Sequence, residues 1–123
     1  MPHQLGYIVI YTKRTQEMID FYSRYFGYTA HQRPDDRIVE LRPQGLGTML
    51  LLHPASKGQK EGQSLVKFVF DVENVEEFCR RAGETGLAFG PIHKGDGYTF
   101  ANTKDPSNNS VSVSSRAFAP NAA

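Results

Sequence analysis

The sequence predicts an α+β fold: two βαβββ modules forming a curved mixed sheet with a concave cleft, helices outside. Three observations predict it. The order strand, helix, three strands occurs twice, separated by a polar stretch, which is the mark of an internal repeat. Landmark residues recur at a nearly constant offset, Gly27 to Gly86 at 59 residues and Phe21 to Phe78 at 57. And neither half has enough covering structure for its own sheet, so the two are expected to share one.

In the first module, LGYIVIYT (5–12) is β-branched and aromatic and reads as a strand. A helix follows over 15–26, where Met18, Ile19, Tyr22, Tyr25 and Phe26 recur at helical spacing and Gly27 supplies a stop. A weak strand is expected near 28–32. RIVEL (37–41) and TMLLLH (48–53) are two more, joined by a turn over 43–47. ASKGQKEGQS (55–64) is a polar, glycine-containing linker without an apolar anchor.

The second module opens with the strand SLVKFVFDV (64–72). Its helix, 75–82, places Val75, Phe78, Cys79 and Ala82 on one face. Asn74 is the expected N-cap, and Glu77 three residues on completes a capping-box pattern. FGPIH (89–93) and YTFANT (98–103) flank KGDG, whose Asp96-Gly97 pair signals a hairpin turn. The last strand is NSVSVSS (109–115), in which serine and valine alternate with period two. One domain over 1–116 is expected, with module one at about 5–54, linker 55–64, module two at about 65–116 and a frayed tail over 117–123.

Composition narrows the function. With 14 basic and 13 acidic residues the net charge is +1, which lacks the basic face expected for nucleic acid or an anionic membrane. No apolar run approaches the roughly 20 residues of a membrane span. The opening MPHQLGYIVIY lacks the basic start and small-residue cleavage site of a signal peptide, so a cytoplasmic protein is expected. The single cysteine, Cys79, excludes an internal disulfide and a CxxC metal site. GxGxxG, GxxxxGK[ST] and HExxH are absent.

Two stretches carry a resemblance across residues 5–116. IDFYSRYFGY (19–28) is similar to an "FY…LG" helix end, and DPSNNSVSVS (105–114) to a "DP-x-G-N" turn leading into a final strand. With the repeat around them, the chain resembles the vicinal oxygen chelate superfamily of glyoxalase I, extradiol dioxygenases, fosfomycin-resistance enzymes and bleomycin-resistance proteins. Asn108 stands where glycine is usual there; asparagine tolerates the left-handed conformation better than most residues. The resemblance implies a homodimer and, in metal-dependent members, one inward His, Glu or Gln ligand from each of four strands. Those positions fall here on Tyr7, near Leu51, on Lys67 and on Ser112. A phenol, an alkyl group, a cation and a neutral hydroxyl make a poor divalent-metal site, so neither metal nor other cofactor is expected.

Strand alternation then supplies the expected binding face. Ile8 and Ile10 pack under the first helix, leaving Tyr7, Val9 and Tyr11 inward; Met49, Leu51 and His53 follow the same rule. Val66, Phe68, Phe70 and Val72 pack under the second helix, leaving Lys67, Val69 and Asp71 inward opposite Ser110, Ser112 and Ser114. The expected ligand-binding set is Tyr7, Tyr11, Leu51, His53, Lys67, Val69, Ser112 and Ser114, with no residue assigned to catalysis.

Lys67 has apolar chain neighbours, so its ammonium is expected to be partly desolvated. It reads as an anchor for a ligand carboxylate, phosphate or carbonyl oxygen, as half of an ion pair, or as a Schiff-base or general-base lysine. Asp71 is a poor ion-pair partner at roughly 13 Å along the strand. Tyr7 and Tyr11 either stack on a ligand ring or simply fill the cleft. His53 is either a solvated strand end or a titratable group. With Glu40 or His93 it could also build a noncanonical metal site. Cys79 reads as inert core.

The function expected is a metal-free small-molecule-binding protein holding a neutral aromatic or anionic compound. The alternative is a glyoxalase-like lyase or isomerase with either a noncanonical metal site or metal-free acid–base chemistry, with Lys67, His53 or Tyr7 as base.

Overall fold

The computed structural model describes residues 2–120. It resolves into two compact units, one running to Gln63 and one starting at Ser64. Each unit carries one helix and a four-stranded mixed sheet, so the α+β class and the doubled βαβββ order both stand.

Unit 1 runs β1 (Tyr7–Thr12), α1 (Thr15–Phe26), β2 (Thr29–Gln32), β3 (Val39–Arg42) and β4 (Met49–Pro54). Its strand order is β1-β4-β3-β2, with β1 parallel to β4 and the other pairs antiparallel. The period-two pattern decides what is buried. Register places Ile10 beside Leu52 and Leu52 beside Val39, and it pairs Leu50 with Leu41; all five are buried. Helix α1, which packs on β2 and β4, adds Met18, Phe21 and Tyr22 to this core. Gly27 ends the helix in the left-handed conformation (φ 71°), and its amide donates back to the Ser23 carbonyl.

Unit 2 repeats the plan with β5 (Lys67–Asp71), α2 (Val75–Glu84), β6 (His93–Lys94), β7 (Thr99–Lys104) and β8 (Ser110–Ser114). Its order is β5-β8-β7-β6, with β5 parallel to β8. Val111, Val113 and Ala101 are fully buried beside the half-buried Phe68 and Phe70. Asn74 caps α2 by accepting the Glu77 amide at 3.0 Å. The reciprocal half of the capping box is not made, because the Glu77 carboxylate turns to Arg80, whose guanidinium holds it below the usual carboxylate range. Asn74→Ala is therefore expected to cost about 1 kcal/mol, read as a lower urea midpoint, whereas Glu77→Gln should leave the cap intact.

The DPSNN turn shows why its residues are polar. Asp105 is buried, and its Oδ1 accepts the amides of Ser107 and Asn109, each at 2.9 Å. Asn108 takes the left-handed conformation (φ 68°), as expected of an asparagine in a glycine position.

Two sequence expectations are corrected. The strand expected over 89–93 shrinks to His93–Lys94, because Pro91 has no amide to donate and Gly90 makes one isolated bond to the Asn102 carbonyl. The strand expected from 64 begins at Lys67, so Val66 is 55% exposed rather than packed under α2. The linker is held by polar contacts: the Glu61 carboxylate accepts the Thr12 hydroxyl at 3.4 Å and the Lys13 amide at 3.3 Å. The tail begins with a 3₁₀ turn, Arg116–Phe118, and residues 121–123 lie outside the described residues.

Candidate functional site

Each sheet has one face given to its core and one open face, and the sequence-predicted site residues lie on the open faces. On unit 1, Tyr7 (55%), Val9 (46%) and Tyr11 (48%) are exposed along β1. Their register partners on β4 are Met49, Leu51 and His53, all half-buried. β1 is an edge strand, so this aromatic and aliphatic row continues to the rim of the sheet. The rings of Tyr11 and His53 lie 4.9 Å apart, tilted by 49°. His53 Nδ1 is 2.9 Å from the Pro54 carbonyl oxygen, which can only accept, so Nδ1 is the donor of that contact.

The same face continues into residues that the sequence reading did not place there. Glu40 lies beside Leu51 and His31 in the ladder. Its carboxylate accepts Arg42 at 3.1 Å and faces Arg33 at 3.6 Å. The β3 alternation alone put Glu40 opposite Val39 and Leu41, but only the register shows it next to Leu51.

On unit 2 the open face carries Lys67, Val69 and Asp71 on β5, then Ser110, Ser112 and Ser114 on β8, then Lys104, Asn102 and Phe100 on β7. Lys67 and Val69 are exposed, whereas Ser112 and Ser114 are buried. The Ser112 hydroxyl donates to the Ala101 carbonyl at 2.9 Å, and the Ser114 hydroxyl accepts the Arg116 amide at 3.1 Å. These hydroxyls thus hold main chain at the sheet surface. Small size lets them do so where a longer polar side chain would protrude.

The expectation of a desolvated Lys67 is corrected. Phe68 turns to the opposite face and Val66 is itself exposed, so neither chain neighbour covers the ammonium. Lys67 Nζ instead donates to Asn102 Oδ1 at 3.0 Å and stands 5.8 Å from the Phe100 ring centroid. Phe100 in turn contacts His93 at 5.1 Å and Tyr98 at 6.2 Å, and Tyr98 carries the Arg116 guanidinium at 5.4 Å. The Tyr98 ring lies against Gly95 so closely that a β-carbon has no room there. Sequence reasoning missed Asn102, Phe100 and Lys104. Their signal was the alternation of TFANTK, which separates them from the core-facing Ala101.

Metal chemistry finds little to use. Leu51 has no donor atom, Lys67 is a cation, and the Ser112 hydroxyl proton is already committed to a carbonyl. Glu40 is countered by two arginines. Among the described residues no three His, Cys, Asp or Glu side chains gather where they could hold a metal ion. The four positions therefore do not fit the metal that the resemblance implies for its metal-dependent members. Burial pushes the Cys79 thiol up, away from the reactive thiolate. Burial likewise raises the Tyr28 phenol, whose hydroxyl donates to the Thr48 carbonyl at 3.0 Å. A recess of about 570 Å³ lies at the β3–β4 turn of unit 1, lined by Leu5, Arg42, Pro43, Leu46 and Met49 among others; none of the eight sequence-predicted site residues lines it.

Comparison with known proteins bears on the fold and the family. The family model of the Glyoxalase/Bleomycin resistance protein/Dioxygenase superfamily matches residues 4–113. No curated protein sequence matches the chain. Among solved structures, TnmS3, an antibiotic binding protein from Streptomyces sp. CB03234, is 18% identical with a TM-score of 0.75, covering 91% of this chain and 94% of its own. A superfamily member from Sphaerobacter thermophilus DSM 20745 is 19% identical, with a TM-score of 0.73 over 92% of this chain and 97% of its own. Lactoylglutathione lyase from Agrobacterium tumefaciens is 19% identical, with a TM-score of 0.69 over 93% and 94%. At these identities the likeness is one of fold.

Proposed function

This chain belongs to the Glyoxalase/Bleomycin resistance protein/Dioxygenase superfamily, and on that premise we propose that it is a small-molecule-binding protein, working without a metal, that holds a neutral aromatic or anionic compound. The observation that carries the reading is the exposed row Tyr7, Val9 and Tyr11, with Leu51 and His53 beside it. Soluble proteins seldom leave contiguous aromatic surface uncovered without a use for it. A flat apolar floor with few polar points suits an aromatic ring. The second unit, taken by itself, offers a further contact surface in the exposed Lys67 and Val69, with Ser112 and Ser114 shaping the sheet beside them. The printed description of TnmS3 as an antibiotic binding protein supports the class of activity. No helix among the described residues is long and apolar enough to cross a membrane. We take the protein to be a cytoplasmic homodimer, which light scattering of the purified chain tests for its oligomeric state.

A thermal-shift screen of planar aromatics, both neutral and anionic, tests the binding reading. A ligand present at 100 times its Kd should stabilise the fold by about 2.7 kcal/mol. Tyr11→Ala should weaken a hit by about tenfold, since an aromatic pair contributes about 0.5–1.5 kcal/mol beyond its buried area. A screen without hits at millimolar concentration would sink the reading. The rival enzyme reading has the half-buried His53 imidazole on the open face in its favour. Calorimetric titration with nickel, zinc, manganese and iron(II) tests the metal-dependent form of that enzyme. We expect no stoichiometric binding; a tight site would instead bring forward the lyase or isomerase.

A further inference from the structure

We infer that Lys67 and Lys104 form, around Ser110 and Asn102, a seat for the oxyanion group of a ligand, a carboxylate or a phosphonate. The inference rests on the small-molecule-binding reading above and names the chemical class that reading leaves open. Strand β8 lies between β5 and β7, and the register runs Lys67 to Ser110 to Lys104 in one row across the three strands. Two strand spacings put the two lysine backbones about 10 Å apart.

Both side chains lean inward over the strand between them. Lys104 Nζ donates to Ser110 Oγ at 3.2 Å. Lys67 Nζ reaches across to Asn102 Oδ1 on β7 at 3.0 Å. Neither lysine belongs to an ion pair among the described residues. The acid on the same face of β5, Asp71, pairs with Ser114 two rows further along.

Two cations drawn onto one neutral polar patch repel each other, and exposed lysines are free to swing apart. Here each instead spends one of its three donors on a neutral acceptor and keeps two. An oxyanion seated between them removes the repulsion and exchanges neutral acceptors for stronger charge-assisted ones. Phe100 lies two rows along, in the row of Ser114 and Asp71, but the Lys67 side chain leans towards it until Nζ stands 5.8 Å from its ring centroid, so it offers a wall for a ring attached to the anion. The structure thus points to an aromatic acid or an aryl phosphonate.

The test is a titration of the ¹⁵N-labelled chain with phenylphosphonate, benzoate, inorganic phosphate and the neutral isostere benzamide. We expect saturable amide shifts at Asn102, Lys104 and Ser110 with both aryl anions. Benzamide should bind at least about tenfold more weakly. Lys104→Met and Lys67→Met should each weaken the anions about tenfold with little effect on benzamide; both residues are exposed, so the variants should fold, as a circular dichroism melt would verify. Inorganic phosphate binding as tightly as phenylphosphonate would support the seat and remove Phe100 from it. Anion shifts elsewhere, or lysine variants that bind like the parent chain, would overturn the seat. Benzamide binding as well as the anions would overturn it while leaving the small-molecule reading standing.

Discussion

Asp105→Ala is expected to lower the unfolding free energy by about 3 kcal/mol, because one carboxylate organises the turn that leads into β8. Its Oδ1 accepts the Ser107 and Asn109 amides at 2.9 Å, and Oδ2 accepts Asn109 Nδ2 at 2.9 Å. Ser107, like Asp105, is almost fully buried, so alanine strands a main-chain donor where water is scarce. The main-chain bonds from Asn108 to Asp105 and from Asp105 to Asn109 would remain. Asp105→Asn keeps Oδ1 for the two amides but turns a second amide donor toward Asn109 Nδ2. We expect about half the loss. Urea unfolding followed by far-UV circular dichroism measures both, since the chain has no tryptophan. An alanine variant within about 1 kcal/mol of the parent would show that the main chain, not the carboxylate, sets the turn.

Leu52→Ala and Leu51→Ala should separate stability from binding within two adjacent residues. Leu52 is fully buried between Ile10 and Val39, and truncation there is expected to cost about 3 kcal/mol through lost burial and the cavity left behind. Leu51 points the other way, half-buried between Val9 and Glu40 on the open face. Its truncation should cost under about 1 kcal/mol of stability, because solvent already reaches the site. It should nevertheless weaken an aromatic ligand about fivefold, by the roughly 0.8 kcal/mol per methylene of lost apolar contact. Paired urea melts and ligand titrations read both effects. A Leu51 variant that melts as low as the Leu52 variant would place Leu51 in the core and remove it from the binding face.

The capping residue Asn74, the helix stop at Gly27 and the left-handed Asn108 were all legible in the sequence, since each is a local conformational preference expressed within a few residues. The facing of Tyr7, Val9 and Tyr11 was legible for the same reason: strand side chains alternate whatever lies beyond the strand. The alternation failed at its ends. Val66 kept the right parity for the core but lay outside the ladder, and Pro91 cut short a strand that composition favoured. Lys67 stands on the open face as its parity implied, yet its surroundings were misjudged, because the residues on either side of it in the chain do not cover its side chain.

By itself the sequence determined the α+β class, the doubled strand–helix–strand order and the face on which each residue of β1, β4, β5 and β8 stands, because these follow from local periodicity and turn chemistry. Only the tertiary structure decided the partners. It set Lys104 in the row of Lys67, gave Glu40 two arginines, and turned the Ser112 hydroxyl to a carbonyl. Hydrogen-bond register between strands distant in the chain is fixed by the packing of a whole sheet, and it is register that places one functional side chain beside another.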